Sequence, residues 1–337
     1  MIAITGGGTG GHLVIAKAIK EELNKRGIKP IYIGSTRGQD KAWFEKDEGF
    51  THTYFLPSQG VVNKSGIHKI VALIDIIKSS FTCRAIFKRH HINKVFSVGG
   101  YSAAPASLSA ILSRIPLYIH EQNAIKGKLN TLLKPFSKAF FSSYEQNATH
   151  TNYPIGEAFF QVQRKRENLK TIIFLGGSQG AHFINQLALD LALELKENNI
   201  SIIHQTGKKE FDAIKQFYRE NNIHADVFDF SSEIATKLEK ADFAISRSGA
   251  STLWELCAAC VPSLFIPFPH AAANHQLFNA KDLADKGLAL IEEEKYLDKK
   301  NILQKIKNIN LQEVSQNLIH SIQNGGAKEI VDSLLKK

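Results

Sequence analysis

The sequence predicts an α/β protein of two tandem Rossmann-like, doubly wound domains facing a cleft. Three observations carry that expectation. A strand, a glycine turn and a helix open the chain at MIAITGGGTGGHLVIAKAIKEEL, and the same unit returns half a chain later at KTIIFLGGSQGAHFINQLALDLALEL, residues 170–195. Short apolar strands alternate with helical patterns between and after these units, which is βαβ order and hence a parallel sheet with crossover helices. At 337 residues the chain has room for two such domains.

The elements follow in order. Met1 to Ile4 form an apolar strand feeding the turn of Gly6, Gly7, Gly8, Thr9, Gly10 and Gly11 and then a helix. A strand is expected at Pro30 to Ile33, a helix within Ile67 to Lys88, a strand at Lys94 to Val98 running into Gly99-Gly100, and a strand at Leu117 to His120. The charged stretch QVQRKRENLK, Gln161 to Lys170, is the expected linker. Beyond the second glycine unit, strands are expected near Ile200 to Gln205, Asp226 to Phe228, Phe243 to Ser246 and Ser263 to Pro267. Ala250 to Phe268 is apolar, yet Glu255, Pro262 and Pro267 make it a buried helix and strand rather than a membrane span. The expected division is residues 1–160, residues 161–320 and a C-terminal helix in 321–337 that packs back on the first domain.

Composition excludes disorder, since 43% of residues are hydrophobic and 22% charged. Cys83, Cys257 and Cys260 are too few for a disulfide framework and no signal segment precedes the first strand, so a reducing cytoplasm is expected. The net charge of +10 is uneven: residues 1–155 hold 20 Lys and Arg against 9 Asp and Glu, while the remainder is close to neutral. A basic half of this kind meets nucleic acid, anionic lipid or a phosphorylated substrate.

Gly6, Gly8 and Gly11 match the dinucleotide pattern G-x-G-x-x-G, which also needs an acid at the end of the second strand. There the chain reads GSTRGQD, with Gly34, Ser35, Thr36 and Arg37 in that place, so a nicotinamide cofactor loses support. No Lys-Ser or Lys-Thr follows the glycines, which removes a P-loop. What remains is a turn whose backbone N–H groups and helix N-terminus suit an anion. His12 sits in the first helical turn, where the positive end of the helix keeps imidazole neutral and able to accept a proton. Cys257-Ala-Ala-Cys260 lies in an apolar helix and reads as core. The chain has no Asp-x-Asp to hold a diphosphate through a divalent ion, so no metal and no cofactor are expected.

Six motifs in register, GGTGGH (7–12), GGY (99–101), HEQN (120–123), GGSQGA (176–181), RSGAST (247–252) with Glu255, and PHAAANHQ (269–276), closely resemble the MurG family. These are bacterial transferases that move N-acetylglucosamine from UDP to the undecaprenyl-pyrophosphoryl muramoyl-pentapeptide of peptidoglycan synthesis. The resemblance implies the B-type glycosyltransferase fold, with the donor on the C-terminal domain and the lipid-linked acceptor on the N-terminal one. It implies inversion at the transferred sugar, with His12 as first candidate for the base and Glu121, near the acceptor, as a second catalytic residue that shares that role. Thr9, Gly10, Gly11 and Asn123 are carried over as donor contacts, Ser178 to the α-phosphate, and Arg247, Ser248, Ser251 and Thr252 to the pyrophosphate. Glu255 is assigned to the ribose, Gln276 and Asn279 to the N-acetylglucosamine. The implied partners are UDP-N-acetylglucosamine, the undecaprenyl-linked muramoyl-pentapeptide and an anionic membrane surface, with no nucleic acid. The implied place is peripheral, on the cytoplasmic face of the bacterial inner membrane. Rival readings are a diacylglycerol glycosyltransferase, a Rossmann oxidoreductase and a non-catalytic nucleotide-sugar binder.

Two positions depart from the family pattern. Tyr153, Pro154, Ile155 and Gly156 stand where Asn-Pro-Val-Arg is usual, leaving Arg164 or Arg166 to replace the missing arginine, and the uracil-side stretch reads DFSSEI (229–234). In residues 67–91, Ile67, Ile70, Val71, Ile74, Ile77, Phe81 and Ile86 with Lys69, Lys78, Arg84, Lys88 and Arg89 are expected to leave some apolar groups exposed beside basic ones.

Overall fold

A computed structural model describes residues 1–60, 65–145, 149–150, 152–177, 180–231 and 233–336. It divides into two compact units, Met1–Ile155 with Gly325–Lys337, and Gly156–Asn324. The first unit holds seven strands: β1 (Ile2–Thr5), β2 (Ile31–Ser35), β3 (His52–Leu56), β4 (Lys94–Ser97), β5 (Leu117–Glu121), β6 (Ala139–Ser142) and β7 (Thr149–His150). They pair in parallel in the order β3-β2-β1-β4-β5-β6-β7. The second holds β8 (Thr171–Leu175), β9 (Ser201–Gln205), β10 (Ala225–Phe228), β11 (Phe243–Ser246), β12 (Ser263–Phe265) and β13 (Leu290–Ile291), parallel in the order β10-β9-β8-β11-β12-β13.

Helices cover both faces of such sheets, so central strands read as continuous apolar runs. Every residue of β1, β2 and β5 is buried. In the second unit Ile172 and Phe174 pack with Leu187, Leu191, Phe243 and Ile245 in one cluster. In each sheet the strand order reverses beside the opening strand, between β1 and β4 and between β8 and β11. Ligands of open α/β sheets bind at such reversals, beyond the carboxyl ends of the strands.

The stretch expected to be a linker is anchored instead. Arg166 is fully buried, and its guanidinium donates to the carbonyls of Arg164, Leu238, Ala241, Ala259 and Cys260 at 2.7–3.1 Å. Arg164 donates to the carbonyls of Glu239 and Ala241 and pairs with Asp242 at 2.7 Å. A planar fork of donors suits the orphan carbonyls where helices end. Both arginines are thus committed within the second unit, and neither replaces the one missing at Gly156. The C-terminal helix, Gly326–Leu335, packs within the first unit, where Asp332 pairs with Arg26 at 2.6 Å and Glu329 accepts from the Asn152 backbone and amide.

The Gly66–Arg89 helix buries Ala72, Ile76, Cys83, Ile86 and Phe87, so Ile86 belongs to the core rather than to an exposed row. Its opposite face is apolar and uncovered: Ile70, Ile74, Ile77 and Phe81, spaced to share one stripe, are 58%, 43%, 56% and 69% exposed. Arg166→Lys tests the anchor. An ammonium cannot reach all of those carbonyls, and stability should fall by roughly 2–4 kcal/mol. Urea unfolding reads this, and an unchanged midpoint would contradict it.

Candidate active site

At the reversal of the first unit two glycine turns meet backbone to backbone. The Gly7 N–H donates to the Gly99 carbonyl at 3.2 Å. A Cβ on Gly6 would strike that same carbonyl oxygen, and one on Gly100 would strike the carbonyl of Gly7. Gly6 and Gly100 also hold φ of 112° and 75°, in the region that favours glycine. This contact sets the start of the Gly10–Lys25 helix, with Thr9 at its N-cap.

Thr9 does not cap the backbone; its hydroxyl lies 3.0 Å from His12 Nδ1. Gln122, delivered by the turn after β5, places its amide nitrogen 3.1 Å from His12 Nε2 and 3.3 Å from Nδ1. An amide N–H only donates, and Gln122 Nε2 lies almost equally far from both ring nitrogens, so the tautomer decides which of them accepts. His120 is fully buried near His12, with Tyr153 edge-on at 5.6 Å and no hydrogen-bond partner among the described residues. Burial, and then the nearby His12, pull it down to about 3, so it is neutral.

Two expectations change here. Glu121 is buried, and its oxygens accept from the Asn123 N–H at 3.0 Å and from the Gly127 N–H and Asn130 Nδ2, both at 2.9 Å. Burial raises its pKa against the pull of those donors, and its geometry is that of an anchor for the HEQN turn. The first glycine turn does not offer bare N–H groups throughout either. Gly7 is committed to Gly99, and the Gly8 N–H donates to the Asp40 carboxylate at 2.6 Å.

At the reversal of the second unit, Gly176 and Gly177 follow β8, and the RSGAST segment follows β11 into the Ala250–Ala258 helix. Ser178 lies outside the described residues. Ser251 and Glu255, four residues apart, share a face of that helix, whose N-terminus favours an anion. Glu255 is partly buried with no ion pair or hydrogen bond among the described residues, and burial pushes it up to about 7. Arg247 is held away from a free role: it donates to the carbonyls of Ile266 and Pro267 and pairs with Glu294 at 2.5 Å. It braces the segment that carries Gln276, whose Oε1 accepts from the Phe268 N–H at 2.9 Å. Asn279 is buried and donates to the Ser248 carbonyl at 3.2 Å. Between them Ala273 and Asn274 both adopt φ near +50°, at 51° and 54°. Non-glycine residues in that region cost roughly 1–3 kcal/mol each, so the contacts around this turn hold it against local strain.

The models of the glycosyltransferase family 28 N-terminal and C-terminal domains match residues 2–142 and 171–334. A UDP-N-acetylglucosamine–N-acetylmuramyl-(pentapeptide) pyrophosphoryl-undecaprenol N-acetylglucosamine transferase of Campylobacter fetus subsp. fetus (strain 82-40) is 56% identical over 337 residues, the whole of both chains. The chain belongs to glycosyltransferase family 28, in its MurG branch. A like-named protein of Helicobacter hepaticus (strain ATCC 51449 / 3B1) is 49% identical over 99% of this chain and 98% of its own. The crystal structure of Acinetobacter baumannii MurG superposes with a TM-score of 0.80 at 26% identity, over 100% of this chain and 99% of that one. The fold is the B-type glycosyltransferase fold. A Phytolacca americana UGT2 shares it at 11% identity with a TM-score of 0.69, covering 99% of this chain and 98% of that one.

Within the MurG branch, Gln122 and Asp40 are the residues that sequence reasoning left without a role. Gln122 stood in view inside HEQN. Asp40 closes GSTRGQD, five positions beyond the strand end where an acid was sought. Among the described residues no group of three or more His, Cys, Asp and Glu side chains converges on a metal-sized site.

Glu255 generates a pH prediction. Its folded pKa of about 7 exceeds the ordinary 4.5, so between these values the unfolded chain ionises while the folded chain keeps its proton. Stability must then fall as pH rises through that window and level off above it. Urea midpoints of wild type should decline relative to Glu255→Gln from pH 4.5 to 7. Parallel profiles for the two proteins would refute the uncompensated acid.

Proposed function

We propose that this protein transfers N-acetylglucosamine from UDP-N-acetylglucosamine to the C4 hydroxyl of the muramoyl sugar on undecaprenyl-pyrophosphoryl-N-acetylmuramoyl-pentapeptide, with inversion. The observation that carries this reading is 56% identity along the entire chain to a protein named for that transfer, with all six motifs present. In the proposed reaction His12 takes the hydroxyl proton as the oxygen attacks C1 of the sugar, the bond from C1 to UDP breaks, and UDP leaves with the electron pair. Attack opposite the leaving group converts an α linkage into a β product. Gln122 packs its amide against the His12 ring and holds the ring in place for the acceptor hydroxyl. On the donor side Ser251 and Thr252 open a helix toward the diphosphate, Glu255 accepts from the ribose hydroxyls, and Gln276 reads the sugar. Thr9, Gly10, Gly11, Asn123 and Ser178 keep their proposed donor roles. Without an Asp-x-Asp, helix N-termini carry the leaving group's charge, and turnover should survive excess EDTA.

The same reading places the enzyme on a membrane. No described helix is long and apolar enough to cross one. The bare apolar stripe of the Gly66–Arg89 helix has Lys69, Lys78, Arg84 and Lys88 exposed on the same helix. At its C-terminal end Arg84, Lys88 and Arg114 line an open pocket beside Leu112, which is 73% exposed. Apolar side chains entering an interface under basic residues suit an anionic leaflet and a lipid-borne acceptor, each cation adding about 1 kcal/mol.

The deciding assay combines purified protein, radiolabelled UDP-N-acetylglucosamine and a short-chain lipid acceptor analogue, and looks for labelled disaccharide-lipid. In it His12→Ala should lower kcat by about 10²–10⁴ with little change in donor KM, the signature of a base that acts in the transition state. Turnover within a few-fold of wild type would remove His12 from the mechanism. Cosedimentation should show binding to anionic vesicles that weakens with salt, with Lys69, Lys78, Arg84 and Lys88 changed together to Gln, and with Ile77→Ser/Phe81→Ser. Equal binding to neutral vesicles would defeat the electrostatic part.

A further inference from the structure

Asp40 is a carboxylate with no solvent exposure and no Lys, Arg or His partner among the described residues. It opens the short Asp40–Phe44 helix, yet its oxygens turn away from that helix. Oδ2 accepts from the Gly8 N–H at 2.6 Å, while Oδ1 accepts from the Ser35 N–H at 3.0 Å and faces the Tyr32 hydroxyl at 3.1 Å. Tyr32 also lies 2.8 Å from the Gly6 carbonyl, so acid and phenol together hold both ends of the first glycine turn. Burial and the neighbouring Asp40 raise the Tyr32 pKa well above its usual value, which keeps that hydroxyl a donor.

Two glycines exist around this carboxylate. A Cβ on Gly7 or on Gly34 would come within 2.7 Å of Asp40 Oδ1. The acid therefore fills the space these two glycines leave and ties the Gly8 N–H to the end of β2. Burying an unpaired carboxylate is costly, and it persists only where the surrounding donors replace its hydration.

We infer that Asp40 is a positioning residue for the transfer reaction. As an internal anion it fixes the glycine turn, and with it the start of the helix that carries His12 toward the acceptor hydroxyl. The inference rests on the reading of His12 as base.

The test measures kcat, donor KM and thermal midpoint for Asp40→Asn, Asp40→Ala and Tyr32→Phe, with His12→Ala in parallel. A misplaced reacting group costs up to about 100-fold. Asp40→Asn should therefore lose about 10-fold to 100-fold in kcat, with donor KM within about two-fold of wild type. Tyr32→Phe, which keeps the acid and removes one of its donors, should lose several-fold in the same direction. It also serves if the Asp40 variants do not fold. Sodium formate should restore part of the Asp40→Ala turnover by supplying a carboxylate to the Gly8 N–H, a response that mere loss of packing does not give. Wild-type kcat in Asp40→Asn or Tyr32→Phe alongside an inactive His12→Ala overturns the Asp40 inference alone. Near-wild-type turnover in His12→Ala overturns the base reading instead.

Discussion

The first unit depends on one contact, the backbone of Gly6–Gly8 lying against the backbone of Gly99–Gly100. Adjacent parallel strands β1 and β4 deliver both turns to the same edge, and only residues without a Cβ let their carbonyls approach that closely. Once they touch, the Gly10–Lys25 helix has a fixed origin and Thr9 and His12 have a fixed direction. The turn after β5, one strand further along, then brings Gln122 to the same ring. A side chain at Gly6 or Gly100 would move all of these together, because interiors are close-packed and a displaced turn has no slack to absorb.

Central strands were legible in the sequence because burial on both faces writes them as unbroken apolar runs. Four strands escaped: β3 reads HTYFL and is half-exposed, β6 reads AFFS over only four residues, and β7 and β13 span two residues each. Partial burial in β3 and shortness in the other three weaken the pattern that periodicity detects. The Gln161–Lys170 stretch misled for the opposite reason. Its charges read as solvated, while Arg166 is among the largest fully buried side chains, satisfied by carbonyls that no sequence pattern reveals. Glu121 had the residue type of a base, and only coordinates show three donors already on its oxygens. Asp40 was hidden by its offset, since a short turn carries it back beside the strand end where an acid had been sought.

The acids separate by what surrounds them. Among the described residues Asp40 and Glu121 are buried without a cation, and each collects donors from its own chain, N–H groups for Glu121 and N–H groups with the Tyr32 hydroxyl for Asp40. Such an acid is internally liganded and shapes a loop. Glu255 collects none among the described residues, and burial alone lifts it to about 7. A buried polar group without partners carries a desolvation cost that a ligand bearing hydroxyls can relieve. The distinction between an acid satisfied by its own chain and one left without donors is therefore a distinction in partners, which residue type does not encode.

The same reasoning in reverse applies to the Gly66–Arg89 helix. A crossover helix should bury its apolar stripe on the sheet, and this one does so with Ala72, Ile76, Cys83 and Phe87. It then carries a second stripe, Ile70, Ile74, Ile77 and Phe81, that no described element covers. Apolar residues on two faces give the helix little amphipathic contrast, so periodicity alone reads it as buried throughout. Exposing such a stripe to water is unfavourable, at roughly 25 cal/mol per Å² of apolar surface. A surface of that kind persists where something apolar meets it in use, and a substrate tethered to a lipid requires the enzyme to work at such a boundary. The glycine contact and the bare stripe belong to one unit, and under the proposed function that unit both meets the lipid-borne acceptor and holds His12 rigidly where its hydroxyl arrives.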